Sequence, residues 1–223
     1  MAVAISPDPL SWERQMWAGG YRQVAGVDEV GRGALAGPLV AVAVILPPSI
    51  RDPLPADSGW VAIRDSKTIP HRMRVCLATW IVESGATVSI AEVGCLELDA
   101  IGLAAANRCA MERAVLGLRI ESDMLLIDAL TIDLATPQIG IIDGDAQSLS
   151  IAAASIVAKV HRDRIMAELD GSDPAYGFGR HKGYGVPAHL AALMKHGPCP
   201  HHRQSFAPVR QAALHHGHGE TIH

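Results

Sequence analysis

Acidic residues that close apolar runs are the first feature with chemical consequence. Asp28 and Glu29 follow Val24-Ala25-Gly26-Val27, and Asp128 follows Leu125-Leu126-Ile127. A carboxylate at the end of a buried strand is poorly solvated unless a cation joins it. Asp163, in Ala158-Lys159-Val160-His161-Arg162-Asp163, is a further position on a helical pattern, and Asp145 in Gly144-Asp145 a weaker one. Carboxylates drawn from separated elements suit hard cations with oxygen ligands, magnesium or manganese. Taken singly, each acid reads as a helix cap or a surface charge, and Asp163 beside Arg162 as an ordinary solvated helix position. Two strand-end sites with a glycine turn argue for the metal. Successive strand residues point to opposite faces, so Asp28 and Glu29 are expected to share a site only if the chain bends at Glu29, which the following glycines permit.

The turn Gly31-Arg32-Gly33-Ala34-Leu35-Ala36-Gly37 has a rival reading as a dinucleotide-binding loop. A lone glycine pattern is weak evidence for that. Asp28 and Glu29 would repel a pyrophosphate, and Pro38 stands where the helix should be forming. The chain has no GxSxG elbow, so nothing points to a serine nucleophile. Its four cysteines, Cys76, Cys95, Cys109 and Cys199, form no CxxC pair and read as buried free thiols of a reducing compartment. Cys199, His201 and His202 lack the spacing of a usual zinc motif.

The elements that must position the acids follow from the apolar pattern. Hydrophobic residues make up 49% of the 223 and aromatics only 4%, so aliphatic side chains fill the core. Strands are expected over residues 24–27, 39–46, 86–93, 124–127 and 138–142, and helices over 70–83, 96–118, 148–169 and 187–196. Strands and helices alternate after the first two strands, which gives an α/β class. The expected divisions are a loose leader over 1–20, with a short helix around Trp12 to Trp17, a catalytic domain over 21–170, a C-terminal substrate-binding segment over 171–212, and a disordered tail over 213–223.

The formal net charge of −4 counts mildly against a nucleic-acid binder. Acidic metal ligands pull that total down, however, and the stretch from Arg180 to Arg210 supplies a local basic surface that His181, His201 and His202 are expected to line. Residues 1–10 carry Asp8 and two prolines and no apolar run, unlike a secretory signal. The run Leu39 to Leu46 is too short to span a membrane. The expectation is a soluble cytoplasmic protein.

Five motifs in order then carry a resemblance. Asp28-Glu29-Val30-Gly31-Arg32-Gly33 with Ala36-Gly37-Pro38 resembles the first signature of the ribonuclease HII family, and Ser150-Ile151-Ala152-Ala153-Ala154-Ser155-Ile156-Val157-Ala158-Lys159-Val160 with Arg162-Asp163 resembles its second. Asp65-Ser66-Lys67, His181-Lys182-Gly183-Tyr184 and Ser205-Phe206-Ala207-Pro208-Val209 match in the expected order, and the resemblance covers Tyr21 to Val209. It implies a ribonuclease H-like fold: a mixed five-stranded sheet flanked by helices, with a small C-terminal helical segment. It implies a monomeric endonuclease, serving DNA replication and ribonucleotide excision repair. Such an enzyme hydrolyses the RNA strand of RNA–DNA hybrids and nicks 5′ of ribonucleotides in duplex DNA. Two ions, Mg2+ or Mn2+, support the reaction, which leaves 5′-phosphate and 3′-hydroxyl ends.

By the same resemblance Asp28, Glu29, Asp128 and Asp163 are catalytic metal ligands. Gly31, Arg32 and Gly33 approach the ribose 2′-hydroxyl, Tyr184 stacks near the next sugar, and Lys67 and Lys182 contact phosphates. Ala129, Gly102 and Val186 depart from the glycine, asparagine and threonine usual at those positions. A resolvase or transposase-like nuclease would share the acids without needing the Gly-Arg-Gly turn and the tyrosine. A catalytically silent nucleic-acid binder would be expected to lack one of the four acids.

Overall fold

A computed structural model of the chain describes residues 8–51, 54, 58–63 and 69–217. The strands are β1 (Val24–Val30), β2 (Leu39–Ile45), β3 (Thr87–Val93), β4 (Met124–Asp128) and β5 (Gln138–Ile141). The helices are α1 (Ser11–Ala18), α2 (His71–Glu83), α3 (Cys95–Ile101), α4 (Leu103–Leu116), α5 (Leu149–Ser172), α6 (Phe178–His181), α7 (Pro187–His196) and α8 (Ala207–Gly217). The strands form one mixed sheet in the order β3-β2-β1-β4-β5, as the fold expectation required. β1, β4 and β5 run parallel. Strands buried on both faces by flanking helices read as continuous apolar runs, and every side chain of β2 is buried.

The chain divides into two compact units, each discontinuous in sequence. The first comprises Met1–Val30, Ala41–Ala91 and Arg108–Val160, the second Gly31–Val40, Glu92–Asn107 and His161–His223.

In the first unit the register pairs Val24 with Met124 and Val27 with Ile127, and pairs Asp128 with Ile141 on the other side. Parallel pairing therefore carries β1 and β4 to Asp28 and Asp128 at the same end of the sheet. α5 lies directly against β1 at Gly26, where a Cβ would overlap the Ser150 backbone. Within the expected leader, α1 packs Met16 onto a cluster with Val24, Met124, Leu126, Ile141 and Ile151.

In the second unit one apolar cluster joins Ala36, Met166, Tyr176 and Phe178, and another joins Leu35, Leu193, Val209 and Ala212. The helix expected over 96–118 is two helices. Gly102, with φ +82° and ψ 155°, separates α3 from α4 in backbone space that only glycine enters readily. α8 was not foreseen. It continues to Gly217, so the first residues of the expected tail, 213 to 217, are helical.

Candidate metal centre and substrate loops

Asp28 is buried at 6% exposure near the end of β1. Its Oδ1 accepts the Glu29 amide at 2.7 Å, and the Ser155 hydroxyl of α5 hydrogen-bonds the same carboxyl. On the neighbouring strand, Asp128 Oδ1 accepts the Gly144 amide at 2.8 Å. A side chain at Gly144 would crowd Ile151 Cδ1 at 2.7 Å and Asp128 Oδ1 at 3.2 Å, so this approach depends on glycine. Asp28, Glu29 and Asp128 each offer an oxygen, and these oxygens lie within 4.8 Å of one another.

The expected bend at Glu29 is absent, since β1 runs on to Val30. Asp28 and Glu29 converge nonetheless. The longer glutamate side chain gives a carboxylate on the opposite strand face the reach that a second aspartate would lack. After Asp128 the chain turns sharply through Ala129, at φ +59°. That left-handed conformation favours glycine, the residue from which this chain departs.

Burial pushes the Asp28 carboxyl well above the usual carboxylate range. The charges of Glu29 and Asp128 add to that push, and the Ser155 and Glu29 hydrogen bonds only partly oppose it. Crowded acids in a poorly solvated place are compensated by a hard divalent cation. The donors are all carboxylate oxygens, as magnesium and manganese prefer. Among the described residues this is the one cluster of three or more candidate ligands so closely gathered. Asp145 is buried in the short turn Gly144–Ala146 and is not part of it.

The other expected site residues belong to the second unit. Asp163 is buried on α5. Its neighbour Arg162 is wholly buried. Its Nε donates to Pro38 O at 2.9 Å, Nη1 to Lys182 O at 2.8 Å and Nη2 to Ala36 O at 3.0 Å. Its guanidinium also lies 5.6 Å from the centre of the Tyr184 ring. Gly31, at φ +89°, packs against the Arg162 side chain where a Cβ could not fit. Arg32 and Gly33 are exposed, and a Cβ on Gly33 would meet open space. Lys182 and Tyr184 are half-buried. The Leu35 amide donates to Gly183 O at 2.8 Å, joining the glycine turn to the Tyr184 loop. Lys67 lies outside the described residues.

The expected basic surface loses members to the interior. His202 and Arg203 are buried, and His181 is half-buried with Nε2 2.8 Å from Tyr176 O. Arg180, Lys195, His196 and Arg210 remain exposed. His202 instead bridges Cys199 and His189: its Nδ1 accepts the Cys199 amide at 3.1 Å, and its Nε2 lies 3.1 Å from His189 Nε2. The buried-thiol expectation fails at Cys76, which is exposed, while Cys95, Cys109 and Cys199 are partly buried and all four are free. Sequence reasoning missed Ser155, Arg162 and Arg203. For Ser155 and Arg162 the available signal was the alanine-rich setting of α5, too small-sided to keep a neighbour at a distance; nothing marked Arg203.

Residues 25–209 match the family model described as Ribonuclease HII. The chain is 48% identical over 203 residues to ribonuclease HII of Desulfitobacterium hafniense (strain DSM 10664 / DCB-2), covering 91% of this chain and 75% of that one. It is 43% identical over 214 residues to ribonuclease HII of Dehalococcoides mccartyi (strain ATCC BAA-2266 / KCTC 15142 / 195), covering 94% and 97%. Among solved structures, ribonuclease H2 from Pyrococcus horikoshii OT3 superposes with TM-score 0.72 at 23% identity, covering 86% of this chain and 98% of that one. Bst-RNase HIII in complex with Mn2+ superposes with TM-score 0.67 at 17% identity, covering 96% and 76%. At such identities the two structures speak for the fold alone.

Proposed function

Since the chain belongs to the ribonuclease HII family, and is thus a ribonuclease H with endonuclease activity on RNA–DNA hybrids, we propose that it also nicks duplex DNA on the 5′ side of an embedded ribonucleotide. The observation that carries the chemistry is the convergence of Asp28, Glu29 and Asp128 within 4.8 Å. Asp163 completes the ligand set by family resemblance. Two divalent cations, Mg2+ or Mn2+, supply activation of the attacking water and stabilisation of the leaving 3′-oxygen when bound. The protein's own part is to gather the acids and orient them. Ser155 and the Glu29 amide fix the Asp28 carboxyl, and the Gly144 amide fixes that of Asp128. No protein nucleophile takes part, and the products carry 5′-phosphate and 3′-hydroxyl ends.

Selectivity belongs to Gly31, Arg32, Gly33 and Tyr184. A turn exposed at Arg32 and Gly33 lets main-chain atoms approach a 2′-hydroxyl, the group that separates RNA from DNA. The Tyr184 ring packs against the following sugar, where a missing 2′-hydroxyl leaves room. Lys182 and Lys67 serve as phosphate contacts, which position without reading sequence. The test is a labelled duplex with one ribonucleotide, run beside an all-RNA hybrid and an all-DNA control. A nick 5′ of the ribonucleotide is expected. Tyr184→Ala should lose more on that duplex than on the hybrid. An intact first substrate under conditions where the hybrid is cut would falsify the junction reading.

A further inference from the structure

We infer that Arg162 and Arg203 are positioning residues that hold the Gly31–Pro38 loop in its substrate-reading shape by tying its carbonyl oxygens inward. The inference rests on the junction reading above only for the substrate it concerns; the tie itself lies wholly within the second unit. Both side chains are fully buried, and both guanidiniums address main-chain carbonyls. Arg203 Nη1 donates to Arg32 O at 2.9 Å, while its Nε and Nη2 reach Gly37 O at 3.1 and 2.9 Å. Arg162 takes Ala36 O and Pro38 O from the same loop and Lys182 O from the loop that carries Tyr184. Main-chain amides take two more: Gly31 O accepts from Ala34 N at 3.2 Å, and Leu35 O from Arg203 N at 2.8 Å.

The consequence is a loop with a fixed polarity. Six carbonyls, those of residues 31, 32, 35, 36, 37 and 38, are engaged inward. The amides of Arg32 and Gly33 donate to no acceptor among the described residues, and both residues are exposed. An exposed pair of amides on an anchored turn offers donors to an incoming oxygen without reorganising. Burying two guanidiniums is costly, and burial pulls the Arg203 pKa down to about 10 and lowers that of Arg162 as well. A guanidinium keeps its charge at neutral pH. Lysine cannot substitute, because a single ammonium lacks the planar fork that spans two carbonyls on different sides. Gly31 is the counterpart of the arrangement, since any side chain there would displace Arg162.

The test uses the full chain with Arg162→Lys and Arg203→Lys. Arg74→Lys serves as control, because Arg74 is buried in the first unit and its Nη2 holds Ile69 O at 2.8 Å. Each protein is assayed on the single-ribonucleotide duplex and on a long RNA–DNA hybrid, and the ratio of the two kcat/KM values is compared. Inactive protein cancels from that ratio. Both clamp variants should lower it by about tenfold, the worth of one charged hydrogen bond, while Arg74→Lys lowers the thermal midpoint and leaves the ratio alone. Amide exchange of residues 34, 35 and 37, whose amides donate to Gly31 O, Gly183 O and His201 O, should quicken in the clamp variants only. Where a lysine variant does not fold, the glutamine variant is assayed in the cold. Unchanged ratio and unchanged exchange in folded clamp variants overturn the inference. If the wild type shows no junction preference, the functional reading falls by itself, and the exchange measurement alone decides the clamp.

Discussion

Asp28 concentrates what a single residue contributes. Its carboxyl is buried, is held by Ser155 and the Glu29 amide, and lies near two further acids. Its folded pKa stands above the ordinary 3.8, so its contribution to stability is full below that value and is lost as pH rises through the raised one. At neutral pH the metal-free protein carries that cost. Asp28→Asn removes it while keeping the shape, so with chelator present the variant should melt at a higher temperature than the wild type. Added Mg2+ should raise the wild-type midpoint more than the variant's, and cleavage should fall on the order of a thousandfold. A variant that cleaves normally, or a metal-free wild type that is the more stable of the two, would remove Asp28 from the site. The strand-end acids were legible because a charge closing an apolar run is rare. Ser155 was not, because every serine in an alanine-rich helix reads alike until Gly26 fixes how α5 meets β1. Arg203 was counted in the basic surface and Arg162 was given no role, since nothing in a sequence distinguishes a guanidinium facing water from one facing carbonyls.

At the scale of elements, strands were more legible than helix boundaries. The expected strands agree with β1 to β5 to within a few residues, because an apolar run bounded by charges or prolines has few alternatives. The helical pattern over 96–118 hid a break, since α4 resumes directly after Gly102 and the apolar spacing carries across. α7 shows the opposite, a correct start with a missing device. Pro187 occupies its first turn, and Val186 at the N-cap has extended backbone, φ −75° and ψ 159°, with no side-chain cap. The threonine usual in the family would cap a free amide there. Val186→Thr is therefore expected to stabilise the protein by about 1 kcal/mol, which for a chain of this size raises the midpoint by roughly 2–4 °C. Val186→Ala controls for loss of the valine methyls. A threonine variant no more stable than the alanine one would show that water already satisfies those amides.

Across the whole molecule, the least expected connection runs from α1 and the residues before it to the start of α5. Glu13 of α1 is wholly buried, and its Oε1 accepts from Ser148 Oγ at 2.6 Å, Ser150 Oγ at 2.7 Å and Ser150 N at 2.8 Å. Pro9 O takes the Leu149 amide at 2.9 Å, so the leader caps the first turn of α5 twice. No local pattern could show this, because the partners are 135 and 137 residues away and a glutamate in a polar leader reads as surface. Burial raises the Glu13 pKa above its ordinary 4.5, and the serine hydrogen bonds oppose that shift without cancelling it. The sign follows from linkage. A raised folded pKa means the group favours folding fully below 4.5, and that advantage is lost as pH rises through the folded value. Glu13→Gln, which keeps the acceptor oxygen and cannot ionise, should remove this pH dependence. The stability of the wild type relative to the variant should then decline as pH rises from the ordinary carboxylate range towards neutrality. Urea unfolding of both proteins at a series of pH values measures the difference directly, and contributions from Asp28 cancel because both proteins share it. A relative stability that stays flat, or rises with pH, would mean that the serine hydroxyls and the α5 amides hold Glu13 as a fully ionised cap.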